Sequence, residues 1–111
     1  MTDMMRQTYI VAVSGGVDSC ALLHKLMSVK PPLVTYIVAH VDHGIRTDSS
    51  ADAAFVATLA RQYDAHFEVC RLELGPGVSE EEARNKRYEF LYELKKKYKA
   101  EAIITAHHQD D

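Results

Sequence analysis

Apolar residues along this chain follow two different rhythms. Tyr9 to Val13 and Leu33 to Ala39 are apolar at nearly every position, as strands covered on both faces should be. His66-Phe67-Glu68-Val69-Cys70 alternates instead, which suits a strand at a sheet edge. Between these runs, Phe55, Val56, Leu59, Ala60 and Tyr63 recur at the three- and four-residue spacing of a half-buried helix, with Ser49 as its cap. Pro31-Pro32 ends an earlier helical run. Ser79-x-x-Glu82 is a capping box that opens a third helix. The acidic first turn of that helix and its basic last turn (Lys95, Lys96, Lys97, Lys99) complement the dipole, so the charge run reads as a solvated face. The pattern predicts strands over about 8–13, 33–39, 66–72 and 102–106, and helices over about 18–29, 49–64 and 80–99. Such alternation implies an α/β domain, an open parallel sheet with right-handed crossovers, and a strand order 3-2-1-4.

In sheets of this kind ligands bind beyond the carboxyl ends of the strands, where the order reverses. Polar, reactive residues follow the strands at that edge. The first strand runs into Ser14-Gly15-Gly16-Val17-Asp18-Ser19, the second into His40-Val41-Asp42-His43-Gly44-Ile45-Arg46, and the fourth into His107-His108-Gln109-Asp110-Asp111. Strand, glycine pair and helix together make a phosphate cradle. Glycines let an anion approach the main chain, and the helix start supplies N–H groups and a favourable dipole. Ser14 and Ser19 add hydroxyls; the alternative reading is a plain tight turn with Asp18 or Ser19 as the N-cap of the helix. The loop lacks a Gly-Lys-Ser/Thr ending and does not fit G-x-G-x-x-G, so neither a Walker loop nor a dehydrogenase-type site is expected.

Composition narrows the class further. The chain has 111 residues, one domain's worth, of which 47% are hydrophobic, enough for a real core. Thirteen Lys and Arg against sixteen Asp and Glu leave a net charge of −3, which argues against a general polyanion-binding surface. Cys20 and Cys70 form no C-x-x-C pair and read as small core residues in a reducing compartment. No apolar run approaches the ~20 residues of a membrane span, and the N-terminus lacks the apolar stretch of a signal peptide. A cytoplasmic location without membrane contact is expected.

The His and Asp residues of the loops need a chemistry. Neither His pair has the spacing of H-E-x-x-H and no cysteine cluster accompanies them, so zinc is disfavoured. Carboxylates beside a triphosphate cradle suit Mg²⁺, which takes few protein oxygens plus phosphate oxygens. Arg84, Arg87 and Tyr88 share one arc of the third helix. There an arginine is either an ordinary partner of Glu80 or Glu81, or a bidentate clamp on a phosphate or carboxylate at the sheet edge.

With these residues in view, the chain resembles the PP-loop ATP pyrophosphatase family, and within it the tRNA(Ile)-lysidine synthetase branch. The resemblance runs from about Tyr9 to Asp111 and rests on residues 14–19, 40–46, Ser79 to Tyr88 and 105–111. The glycine loop alone would equally suit GMP, NAD, asparagine or argininosuccinate synthetases. The second and fourth segments narrow it to tRNA-cytidine enzymes, and the missing cysteine pairs favour lysine over sulfur transfer. The resemblance implies a Rossmann-like adenine nucleotide alpha hydrolase fold. It also implies ATP and Mg²⁺ as cofactors, and L-lysine and tRNA(Ile) with a CAU anticodon as partners. A homodimer is compatible with it. Ser14, Gly15, Gly16, Val17, Asp18, Ser19, His40, Asp42 and His43 would bind the nucleotide. Asp18, His107, His108, Asp110, Asp111, Arg84 and Arg87 would act in catalysis, with Asp18, Asp110 and Asp111 on the metal. The family pattern continues past the two aspartates with Glu-Thr and further domains, so residues 1–111 are expected to be the N-terminal part of a longer enzyme, weakly active or inactive alone. The alternatives are another PP-loop enzyme such as a thiolase, and a non-catalytic adenine-nucleotide binding module.

Overall fold

The structure, a computed structural model, describes residues 6–42, 49–72, 77 and 79–106, and the side chains of all of these except 49–51. In chain order the elements are β1 (Gln7–Ala12), α1 (Val17–Ser28), β2 (Val34–Asp42), α2 (Ser49–Gln62), β3 (His66–Arg71), α3 (Glu80–Tyr98) and β4 (Ala102–Ile104). The four strands form one sheet in the order β3-β2-β1-β4, parallel throughout. The two apolar runs are its central strands and the alternating run lies at an edge, as the sequence pattern requires.

Alternation along the strands sends side chains to two separate cores. Val11, Val13, Val34, Tyr36 and Val38 pack on one face with Leu23 of α1 and Val56, Leu59 and Ala60 of α2. Ile10, Ile37 and Ala39 pack on the other with Leu91 and Leu94 of α3. Each such side chain taken from water contributes of order 1.5–3 kcal/mol, so both layers hold the sheet. Phe55, expected in the core, is about half exposed, because the buried stripe of α2 runs through its neighbour Val56. Tyr63 packs against the core as expected and also meets α1, with its hydroxyl hydrogen-bonded to His24 Nδ1 and the two rings edge to face.

Helix α3 begins as its capping box predicts, with Ser79 Oγ accepting from the Glu82 N–H at 3.1 Å. It ends at Lys99, whose left-handed backbone (φ 53°) closes the last turn. Near this end, Tyr98 donates its hydroxyl to Glu68 Oε2 and contacts His66 Nε2 at 2.7 Å, while Lys97 Nζ lies 3.3 Å from the same carboxylate. The Tyr98 hydroxyl, followed by Lys97 and His66, holds the Glu68 carboxyl below its ordinary range. This network ties the C-terminal end of α3 to the start of β3. The first half of α3, with Arg84 and Arg87, therefore lies toward the carboxyl edge of the sheet.

Candidate functional site

Val13 leaves β1 and the chain turns sharply at Gly15, whose φ of +96° is a conformation that side chains resist. Gly16 then caps α1 in ordinary extended backbone (φ −78°, ψ 169°), with no side-chain cap bond. The alternative reading, a plain turn capped by Asp18 or Ser19, does not hold, since both residues already sit in the first helical turn. A hydroxyl network braces the bend. Ser14 N–H donates to Ser19 Oγ at 3.0 Å, Gly16 N–H donates to Ser14 Oγ at 3.2 Å, and the Ser19 hydroxyl donates to the Gly16 carbonyl at 3.2 Å. Ser19 has one proton and gives it to Gly16, so Ser14 is the donor in the 3.1 Å contact between the two hydroxyls. Ser19 is buried and acts here as a brace. Ser14 is exposed, so a rotation about χ1 frees the Gly16 N–H without repacking.

Around this bend there is open space on one side and helix α2 on the other. A Cβ on Gly16 would meet only Ser14 Oγ within 4 Å, at 3.5 Å, so the space beside its Cα is open. The first-turn N–H groups of α1 lack intrahelical partners by construction. Gly15 leans on α2, where its Cβ would lie 3.6 Å from Asp52 Cβ and 3.7 Å from Val56 Cγ2. Asp52 is therefore a site neighbour that sequence reasoning missed. It reads in sequence as a helix-dipole acid, and nothing local signals that α2 packs on the loop.

The second segment stands differently from expectation. His40, Val41 and Asp42 are not loop residues; they extend β2 and pair with Val69, Cys70 and Arg71 of β3. His40 and Asp42 are each 3% exposed. His40 Nδ1 lies 2.8 Å from the Val13 carbonyl, and Asp42 Oδ2 takes Arg71 Nη2 at 3.3 Å and Nε at 3.4 Å. Arg71, mostly exposed at the end of β3, is a second residue the sequence did not flag. Arg84 is exposed, and the Arg87 guanidinium lies 5.3 Å over the Tyr88 ring, a cation–π contact on α3. His43, His107, His108, Asp110 and Asp111 lie outside the described residues. Among those described, no group of three or more His, Cys, Asp or Glu is arranged to hold a metal. Cys20 and Cys70 are free thiols, and burial pushes both above the usual thiol range.

The sequence profile of the PP-loop domain family matches residues 1–111. The chain belongs to the PP-loop domain family. Among curated relatives it is 42% identical over 102 residues to the tRNA(Ile)-lysidine synthase of Novosphingobium aromaticivorans, covering 91% of this chain and 31% of that protein. It is 38% identical to the enzyme of that name from Thermotoga maritima (92% and 26% covered) and 39% identical to that of Streptococcus pyogenes serotype M1 (92% and 24%). The chain thus spans between a quarter and a third of the length of these relatives. Among solved structures, the U34-tRNA thiolase NcsA of Methanococcus maripaludis superposes with a TM-score of 0.76 over 95% of this chain and 39% of its own, at 20% identity. Protein Rv1636 of Mycobacterium tuberculosis superposes at 0.55 over 94% of this chain and 73% of its own, at 13% identity. At these identities both show the fold.

In the turn at 14–19 the two glycines have separable duties. Gly15 serves the backbone, and Gly16 serves the space in front of it. Gly15→Ala is expected to lower stability by about 1–3 kcal/mol, because an L residue is forced to positive φ; chemical denaturation measures it. Asp18 lies in the first turn of α1, and Asp52 of α2 lies beside Gly15. No described helix is long and apolar enough to cross a membrane.

Proposed function

We propose that this PP-loop is the ATP-binding part of an enzyme that makes lysidine on tRNA(Ile). The observation that carries the reading is the 14–19 loop, an open glycine at a helix start on the carboxyl edge of a parallel sheet. It occurs in a chain 38–42% identical to relatives that bear that enzyme's name. In this reading the C2 carbonyl oxygen of the wobble cytidine attacks the α-phosphorus of ATP, and the bond to the β-phosphate oxygen breaks, releasing pyrophosphate. The ε-amine of free L-lysine then attacks C2, and AMP departs with the C2–O electron pair.

The loop acts where charge grows. Gly15, Gly16 and the first-turn N–H groups of Val17 to Ser19 receive the β- and γ-phosphates, and their dipoles are fixed before the reaction begins. Asp18, with Asp110 or Asp111, would hold a Mg²⁺, which would supply neutralisation of phosphate charge. His107 or His108 takes the proton of the attacking ammonium, which must be lost before nitrogen can attack. Arg84 or Arg87 clamps an anionic group of the substrates. Little covalent work falls to the protein; alignment and charge stabilisation dominate.

Full-length protein incubated with ATP, labelled lysine and a tRNA(Ile) transcript is expected to incorporate lysine into the RNA, with one AMP and one pyrophosphate per lysine. Label entering from a sulfur donor instead, or ATP turnover indifferent to tRNA, contradicts the proposal.

A further inference from the structure

The junction between β1 and the PP-loop is fastened by a side chain rather than by the sheet. The backbone ladder between the central strands runs from Gln7↔Val34 to Ala12↔Ala39, and one more bond, Val13 N–H to the Ala39 carbonyl at 2.8 Å, closes it. The next acceptor along β1 is the Val13 carbonyl, one residue before Ser14. It receives the ring of His40 at 2.8 Å. Nδ1 must carry a proton in this contact, because a carbonyl only accepts. Both residues lie in the interior, Val13 at 1% exposure and His40 at 3%. A buried carbonyl without a donor is costly, so the imidazole satisfies an acceptor at the point where β1 must part from β2 to form the bend.

We infer that His40 is a positioning residue of the PP-loop: it acts on nucleotide binding through the Val13 carbonyl and makes no contact with the nucleotide itself. It ends the ladder with a side chain, which lets β1 splay from β2 while the carbonyl stays paired. The bend at Ser14–Gly16 starts one peptide later, so the direction of its amides depends on this anchor. The inference rests on the proposed ATP site and assigns His40 a role different from lining the nucleotide pocket.

Three variants separate the roles, because the amide of asparagine reaches the Nδ1 position and that of glutamine reaches the Nε2 position. In full-length protein, His40→Asn is expected to keep the calorimetric Kd for Mg·ATP within about threefold of wild type. His40→Gln and His40→Phe are expected to weaken it about tenfold or more, the loss that follows from one hydrogen bond. Affinity that survives in His40→Gln and fails in His40→Asn, or that is unchanged in all three, overturns the inference. A second readout needs no nucleotide. Amide resonances of residues 13–19 should shift in His40→Gln and His40→Phe and stay near wild type in His40→Asn; equal shifts in all three also overturn it. If wild-type protein binds no ATP, the proposed function falls, while the amide resonances still decide the role of His40.

Discussion

Replacing Gly16 by valine is expected to raise the Kd for Mg·ATP at least about 100-fold, equivalent to about 2.7 kcal/mol of binding. The melting temperature should fall by no more than about 8 °C, the effect of the roughly 1 kcal/mol that a β-branched residue costs at an N-cap. The backbone at Gly16 (φ −78°, ψ 169°) is one that valine adopts readily, and the added Cβ meets only Ser14 Oγ, at 3.5 Å. What valine does is fill the space in front of the loop amides. A phosphate that cannot reach those N–H groups loses both the hydrogen bonds and the helix-start dipole. Isothermal calorimetry beside thermal melts separates the two quantities. The contrast with Gly15→Ala is the informative part. That variant should lose stability first, since its cost lies in the φ of +96°.

Asp18→Asn is expected to lower the turnover of the complete enzyme by about 10²–10³-fold, the range seen when one fixed electrostatic group is removed from a site where charge develops. Asp18 is exposed in the first turn of α1, so the fold has little to lose. An acid there favours the helix dipole by about 0.3–1 kcal/mol, and asparagine gives that up. If the carboxylate holds Mg²⁺ on the leaving pyrophosphate, the loss should appear in kcat, and raising Mg²⁺ should restore part of it. Steady-state pyrophosphate release over a Mg²⁺ series checks both. Unchanged kcat at every Mg²⁺ concentration would remove Asp18 from the metal.

Much of the sheet was legible because its information is local. Two runs apolar on both faces had to be central strands, one alternating run had to be an edge, and right-handed crossovers then left the order β3-β2-β1-β4. Where the reading failed, the cause was a contact distant in sequence. Residues 40–42 look like loop by composition, since a buried His and a buried Asp are costly. The Val13 carbonyl, 27 residues away, and Arg71, 29 away, remove that cost and let β2 continue to Asp42. Asp52 escaped notice for the same reason: only the packing of α2 on Gly15 makes it a neighbour of the loop. The fourth strand is shorter than its apolar run, ending at Ile104. The PP-loop itself was legible as a motif, but not its internal bracing. Serines that read as phosphate donors are, in this conformation, bonded to the loop's own backbone.

Amide-resolved NMR of the protein titrated with ATP, pyrophosphate and AMP, each with Mg²⁺, bears most directly on the main claim. Main-chain N–H resonances of Gly15 to Ser19 should move with ATP and with pyrophosphate and respond weakly to AMP, because the claimed contacts are to the β- and γ-phosphates. Resonances in that stretch that stay fixed while ATP binds elsewhere, or that move equally with AMP, would contradict it.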